Sequence, residues 1–312
     1  MPELPEVETI RRGLSNFVIK QKIKKIDVSC EKSFIGMPKT AQGHTITDVR
    51  RFGKALVIDL DANLSLLIHL RMTGQLIYDS TSLLVGNSPT IAGNRYAAGH
   101  PSENFLASLP NKQTRVVITL ERGTLFFNDQ RKFGFIKILP TTEVEHDSFI
   151  EKLAKEPWAM TSDEFYEKLQ RHKNSLIKAT ILDQSIICGL GNIYADESLF
   201  ASGIHPARRS GSLTREESNR LLIEARRVMD KSIASGGSTM ATYVKADGTR
   251  GDYLEKFAQV FHRDGEPCPR CGTKIIKIRV AGRGTHICPN CQILSVNPEA
   301  TACVSSEGQS HD

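Results

Sequence analysis

The sequence contains no uninterrupted apolar run near the roughly eighteen residues that a membrane span needs. Its amino terminus, MPELPEVE, is acidic where a secretory signal would be basic. A membrane protein is not expected, and the reading is of a cytoplasmic chain. Cysteine is scarce and odd in number, seven in 312 residues. Four of the seven crowd toward the carboxyl end at metal-ligand spacing, which argues against a disulfide framework. Cys30, Cys188 and Cys303 read as ordinary thiols. No internal repeat is present, so a solenoid or propeller is not indicated. An acidic excess is also missing: 41 Lys and Arg stand against 35 Asp and Glu, a formal charge of +6 that suits a polyanionic partner without identifying one.

At this length two or three modules are the starting expectation. Val7, Ile10, Leu14 and Phe17 recur at helical spacing after acidic residues, which favour a helix amino terminus. Short β-type runs follow at 55–60, 64–70, 115–120, 124–128 and 135–139, joined by turn-rich links, and together predict a β-sandwich or small barrel. Residues 79–111 are rich in Ser, Asn, Gly and Pro and read as a mobile insertion. From about Ser162 the pattern is helical. Thr214-Arg215-Glu216-Glu217 is a capping box that opens an apolar helix closed by Gly236 and Gly237. Residues 295–312 form a polar, aperiodic tail.

Cys268, Cys271, Cys288 and Cys291 follow the pattern C-x2-C-x16-C-x2-C. Each close pair can give two thiolates to one tetrahedral ion, and Ile275, Ile278 and Val280 suit a hairpin joining the pairs. Four cysteines close the coordination sphere, so the expected cofactor is one structural zinc ion. Lys274, Lys277, Arg279 and Arg283 make the hairpin basic, either to meet phosphates or as a plainly solvated face.

Pro2 follows the initiator and, once Met1 is removed, would present a secondary amine. An α-amino group titrates near about 7.7–8.0, so a useful fraction is nucleophilic at neutral pH and can attack a sugar C1′. Glu3, Glu6 and Glu8 lie beside it as candidate proton donors. On spacing alone, an acidic first helical turn is the plainer reading of the three glutamates.

The opening Pro2-Glu3-Leu4-Pro5-Glu6-Val7-Glu8 resembles that of the formamidopyrimidine-DNA glycosylases. The resemblance runs on through Arg51-Phe52-Gly53-Lys54, His69-Leu70-Arg71-Met72-Thr73-Gly74, Asp129-Gln130-Arg131-Lys132-Phe133-Gly134, Gly189-Leu190-Gly191-Asn192-Ile193-Tyr194-Ala195 and the zinc segment, in the family's order. It implies an α+β protein: an amino-terminal β-sandwich flanked by helices, then a helix-two-turns-helix domain with a carboxyl-terminal zinc ribbon, and DNA held between the domains. The corresponding limits are 1–140 for the catalytic sandwich, 151–250 for the helical domain with a lesion-capping loop at 236–251, and 258–294 for the finger.

The implied activity is base excision repair: removal of 8-oxoguanine and formamidopyrimidines from damaged double-stranded DNA by a bifunctional glycosylase and AP lyase, acting as a monomer associated with the nucleoid. The resemblance makes Pro2 the Schiff-base nucleophile, Glu3 the acid/base, Lys54 the β-elimination proton donor and Arg283 the δ-elimination donor. A base must be rotated out of the duplex before it can be cut. Met72, Arg131 and Phe133 match the residues that fill the gap and contact the widowed cytosine. Without the resemblance, Met72 and Phe133 would be read as core residues and Arg131 as a surface charge. Lys173, Lys178 and Asn192 match phosphate contacts, and Ser238, Thr239 and Tyr243 match base contacts in the capping loop.

The chain departs from the family pattern at Asn111-Lys112-Gln113-Thr114, where a histidine is usual, so Gln113 is a candidate contact by position only. Lys132 stands for the more usual second arginine. Two other readings stay open on sequence: a related endonuclease VIII acting on oxidised pyrimidines, and a catalytically silent DNA-binding protein using the helical domain and ribbon.

Overall fold

A computed structural model of the chain describes residues 2–80, 95–99, 108–237 and 253–294. The chain divides into two compact units, one of residues 1–151 with 232–253, the other of residues 152–231 with 254–312.

The first unit opens with helix α1 (Leu4–Val18). Glu3 is its N-cap in extended conformation, Pro5 sits in the first turn, and the Glu6 carboxylate accepts the Glu3 backbone N–H at 2.8 Å. That return bond satisfies a backbone donor which the helix leaves unpaired. Val7, Ile10, Leu14 and Val18 form its buried stripe.

Among the described residues ten strands follow: β1 (Ile23–Val28), β2 (Phe34–Ile35), β3 (Ile46–Phe52), β4 (Ala55–Leu60), β5 (Leu64–His69), β6 (Gly74–Asp79), β7 (Arg95–Gly99), β8 (Thr114–Leu120), β9 (Gly123–Asp129) and β10 (Phe135–Pro140). They form two five-stranded sheets, ordered β1-β8-β9-β6-β7 and β2-β10-β5-β4-β3. Leu56, Ile58, Leu66 and Ile68 of one sheet share a single apolar core with Leu76, Val116, Ile118 and Phe127 of the other. Helix α1 packs on β3 and β4 of one sheet and on β6 and β7 of the other.

The register fixes what gathers at one end of this sandwich. His69 lies opposite both Ala55 of β4 and Phe135 of β10, and Gly74 of β6 lies opposite Asp129 of β9. The links β5–β6 and β9–β10 each pass from one sheet to the other, and they start and finish on paired strands, so they run side by side. The β3–β4 turn at Gly53-Lys54 lies at the same end. Lys54, Met72, Arg131 and Phe133, far apart in sequence, therefore share one rim.

The expectation of a wholly mobile 79–111 insertion is corrected by β7. Arg95–Gly99 pairs with β6, the Arg95 guanidinium bonds Asp79, and the Tyr96 hydroxyl donates to the Thr9 and Ile10 carbonyls at 3.2 and 3.3 Å. One buried aromatic ring and a ladder are enough to seat a short edge strand in a polar segment. A side chain at Gly13 would place its Cβ 2.2 Å from the Tyr96 hydroxyl, so the bare helix surface there accommodates that ring. The remainder of 81–107 lies outside the described residues, as does the tail 295–312.

The second unit contains α2 (Ser162–Arg171), α3 (Ile177–Leu182), α4 (Asn192–Ser202), most of α5 (Arg215–Ala234) and α6 (Tyr253–Phe257), and the hairpin β11 (Ile276–Val280) and β12 (Arg283–Ile287). The capping box expected at Thr214 is present in both directions: Glu217 N–H to Thr214 Oγ1 at 3.2 Å and Thr214 N–H to Glu217 Oε2 at 2.9 Å. Gly236 and Gly237, at φ 83° and 90°, end α5 in left-handed backbone that glycine adopts without strain. Among the described residues no helix is long and apolar enough to cross a membrane.

Candidate catalytic and nucleic-acid-binding site

Pro2 and Glu3 are buried at the start of α1. The three neighbouring glutamates are not equivalent. Glu8 is bound by Arg11 at 2.8 and 2.9 Å, Arg12 at 2.7 Å and Arg51 at 3.0 Å. Burial would raise its pKa, but the three guanidiniums outweigh that and hold it at about 2. Glu8 is thus a fixed anion with no proton to give at neutral pH. Glu6 is committed to the Glu3 backbone. Glu3, the N-cap of α1, is the buried carboxyl adjacent in sequence to Pro2.

Lys54 is buried and is placed by the tight turn before β4, where Gly53 takes φ +55° and its carbonyl accepts Arg51 Nη1 at 3.1 Å. Arg51 bonds Glu8 as well, so one guanidinium ties the lysine-bearing turn to α1. His69 is also buried at this end. Burial, with the Arg71 and Lys54 charges, drives its pKa down to about 3. Its Nδ1 accepts the Arg71 N–H at 3.0 Å, so the neutral ring carries its proton on Nε2. A neutral imidazole is no proton donor of consequence at pH 7, which leaves the acid chemistry of this rim to carboxyl and ammonium groups.

Met72 is 41% exposed and Phe133 57% exposed, against the core role their residue types suggest on sequence alone. Large apolar side chains held out in solvent are the informative exception to burial. Arg131 stacks its guanidinium on the Phe133 ring, 4.9 Å from the centroid. The supporting residue is Asp129, fully buried: its carboxylate takes the Gly134 N–H at 2.7 Å and the Arg131 N–H at 3.1 Å. A Cβ on Gly134 would lie 2.8 Å from Phe127, so this turn requires glycine. Gln113 lies in the turn before β8, its carbonyl accepting the Asp129 N–H at 2.9 Å.

In the second unit Arg283 is exposed on the β11–β12 hairpin together with Lys274, Lys277 and Arg279. Lys173 is exposed too, with its carbonyl accepting the Gly211 N–H at 3.1 Å. Lys178, matched on sequence to a phosphate contact, is buried. It has no exposed surface, lies 2.7 Å from Asp196, and donates to Thr285 Oγ1 at 2.7 Å and the Gly284 carbonyl at 3.2 Å. Asn192, at the start of α4, donates to the same carbonyl at 3.1 Å, and Asp196 accepts the His286 N–H at 2.9 Å. The adjacent Glu197 accepts the N–H groups of Gln259, Val260 and Phe261 at 2.8–3.1 Å. Helix α4 thus grips the ribbon from two sides.

Zn–S bonds of about 2.3 Å imply tetrahedral edges of about 3.8 Å. The sulfurs of Cys268 and Cys291 are 3.9 Å apart, those of Cys271 lie 3.5 Å from both Cys288 and Cys291, and all four fall within 4.8 Å. The set fits one zinc ion and leaves no position open for a reactant. Tyr243, Ser238 and Thr239 lie outside the described residues. Of the loop 236–251, Gly236 and Gly237 are described, and a Cβ on Gly237 would sit 3.5 Å from Glu6.

Sequence reasoning did not assign Asp129, Thr73, Asp196 or Glu197. The first two stand inside motifs quoted for their neighbours, so the motif was the available signal.

Comparison with known proteins agrees with this geometry. Residues 1–136 match the formamidopyrimidine-DNA glycosylase N-terminal domain, 153–244 the formamidopyrimidine-DNA glycosylase H2TH domain, and 265–293 the zinc finger found in FPG and IleRS. The chain is 40% identical over 300 residues to the formamidopyrimidine-DNA glycosylase of an Exiguobacterium species, covering 94% of this chain and 99% of that one. It is 36% identical to that of Desulfitobacterium hafniense, at 94% and 100% coverage. Among solved structures, a Lactococcus lactis FPG mutant in complex with a Fapy-dG-containing DNA superposes with a TM-score of 0.79 at 32% identity, covering 94% of this chain and 100% of that one. A complex of the LlFpg protein with a THF-DNA and an inhibitor gives the same four values. The chain belongs to the formamidopyrimidine-DNA glycosylase family and is a DNA glycosylase/AP lyase of base excision repair, with a zinc finger of that family's type.

Proposed function

We propose that this enzyme removes oxidised purines, 8-oxoguanine and formamidopyrimidines, from duplex DNA and then cuts the strand by β,δ-elimination through a Schiff base on Pro2. The observation that carries the reading is the rim of the sandwich, where a buried Lys54 accompanies an exposed Met72 and Phe133 and the turn that carries Lys54 is bonded through Arg51 to the helix that begins at buried Pro2 and Glu3. The names of the Lactococcus lactis complexes give Fapy-dG-containing and abasic-site DNA as their ligands, which supports the same substrate class here.

In the proposed scheme the Pro2 nitrogen bonds to the sugar C1′ as the damaged base departs. Glu3 gives a proton to the sugar ring oxygen, the ring opens, and the amine is held as an iminium. Loss of a C2′ proton expels the 3′ phosphate, with Lys54 as proton donor, and Arg283 serves the second elimination that expels the 5′ phosphate. Met72 and Phe133 fill the space left by the everted base, and Arg131 hydrogen-bonds the widowed cytosine. Lys173, Lys178, Asn192, Gln113 and Tyr243 are the remaining proposed DNA-side residues, with Lys178 acting through the hairpin it supports. The finger's zinc supplies a structural crosslink. One copy carries every group in the scheme, so the expected active species is a monomer, working on the chromosome in the cytoplasm.

The test of lesion class is release of 8-oxoguanine opposite cytosine against release of thymine glycol. Faster purine release is the expected result. Faster thymine glycol release would move the enzyme to the pyrimidine-specific branch.

A further inference from the structure

The two links that cross between the sheets carry different parts of the gap-filling set. Met72 belongs to the link 70–73, Arg131 and Phe133 to the link 130–134. Each link is closed by its own bonds. The first is closed by Gly74 N–H to the Leu70 carbonyl at 2.9 Å, and a Cβ on Gly74 would meet that carbonyl at 2.3 Å. The second is closed by the Asp129 carboxylate on the Arg131 and Gly134 amides, with Lys132 at φ +59° between them. The β5–β10 and β6–β9 ladders fix the ends of the two turns, and the tips that carry Met72, Arg131 and Phe133 lie beyond those last pairs.

Thr73 bridges them. Its hydroxyl donates to Asp129 Oδ1 and accepts the Arg131 N–H at 3.0 Å, so it sits between the carboxylate that shapes the second link and the backbone from which the guanidinium hangs. Thr73 directly follows Met72. A displacement of the Met72 turn is thereby transmitted to the Arg131 backbone through one oxygen. Contact with a hydrogen-bonding base edge demands placement within a few tenths of an ångström, and a guanidinium whose backbone drifts discriminates poorly between bases.

We propose that Thr73 is a specificity-determining positioning residue: its hydroxyl couples the Met72 turn to the Arg131–Phe133 turn, so that the group entering the gap and the group reading the opposite base move as one body. The proposal rests on the gap-filling reading of Met72, Arg131 and Phe133. It concerns selection of the base opposite the lesion and leaves the bond chemistry at Pro2 untouched.

The experiment compares T73V, which keeps the shape and removes the hydroxyl, with T73S, which keeps the hydroxyl, and with R131A and the T73V/R131A double variant. The readout is the ratio of kcat/KM for 8-oxoguanine opposite cytosine to that opposite adenine, alongside borohydride trapping on a duplex with a preformed abasic site. The expected result is a fall of about tenfold in the ratio for T73V, the size of one lost base-reading hydrogen bond. T73S should restore the ratio, abasic-site trapping by T73V should match that of the parent, and the double variant should be no worse than R131A. An unchanged ratio in T73V, an equal fall in T73S, or additive losses in the double variant would overturn the coupling. If R131A itself leaves the ratio unchanged, the gap-filling reading of Arg131 fails instead, independently of what Thr73 does.

Discussion

Each compact unit has an ionic knot beneath its candidate chemistry, and the two are built on opposite principles. Glu8 in the first unit is shared by three arginines, one of which, Arg12, is 60% exposed, so the cluster communicates with solvent. Lys178 and Asp196 in the second unit form a pair with no exposed surface on either side chain. A cluster open to water gains from charge while it is ionised and loses that gain by titration or salt. A sealed pair gains little over an apolar core of equal volume but is costly to half-remove, because the remaining charge stays buried. The first knot ties the Arg51 turn that carries Lys54 to α1; the second fixes where the Arg283 hairpin sits on α4.

The largest expected effect breaks the sealed pair. D196N in the zinc-loaded protein leaves the Lys178 ammonium buried without its counter-charge and should cost about 3 to 5 kcal/mol in chemical denaturation of the second unit. Replacing both members by apolar residues, as in K178M/D196L, should recover part of that loss, the residual being the unpaired His286 N–H that Asp196 accepts. A D196N loss below 1 kcal/mol would mean that the pair is hydrated and the contrast false.

A smaller effect is expected at the open cluster, and it should depend on pH. The folded-state pKa of Glu8 is depressed from 4.5 to about 2, so the stability it contributes is complete above pH 4.5 and is lost as pH falls toward 2. E8Q should therefore cost about 3 kcal/mol at neutral pH. The gap between variant and parent should close across that acidic window and narrow in high salt. A gap constant from pH 7 to pH 2 would show that packing, not charge, accounts for the loss.

The residues that sequence made legible are those whose signal is local. The zinc ligands follow from spacing, the Thr214 cap from a four-residue motif, and β4, β5, β8, β9 and β10 from their apolar runs. Strands β1 and β3 were hidden for a physical reason. Register shifts between Ile23 and Lys25 and between Ile46 and Asp48 put an extra residue into each strand, so the buried positions fall at Ile23 and Ile26, and at Ile46 and Val49. A spacing of three imitates a helix face and erases the period-2 alternation. Strand β7 was hidden because its anchor is one tyrosine finding helix α1 across the fold. The burial of Lys178 was not legible because its partners Asp196 and Thr285 lie far along the chain, and a helical lysine shows nothing of them in sequence. At the rim, motifs located the reactive and wedge-forming residues, while the buried Asp129 beneath them became visible only with its three bonds.

The central claim is that residue 2 is the nucleophile, and borohydride trapping on a duplex with one 8-oxoguanine opposite cytosine tests it most directly, using protein whose initiator methionine is verified absent. The account predicts a reduced covalent adduct that maps to Pro2 by mass spectrometry, together with δ-eliminated product. An adduct at any other residue, or base release with no adduct at all, would contradict it.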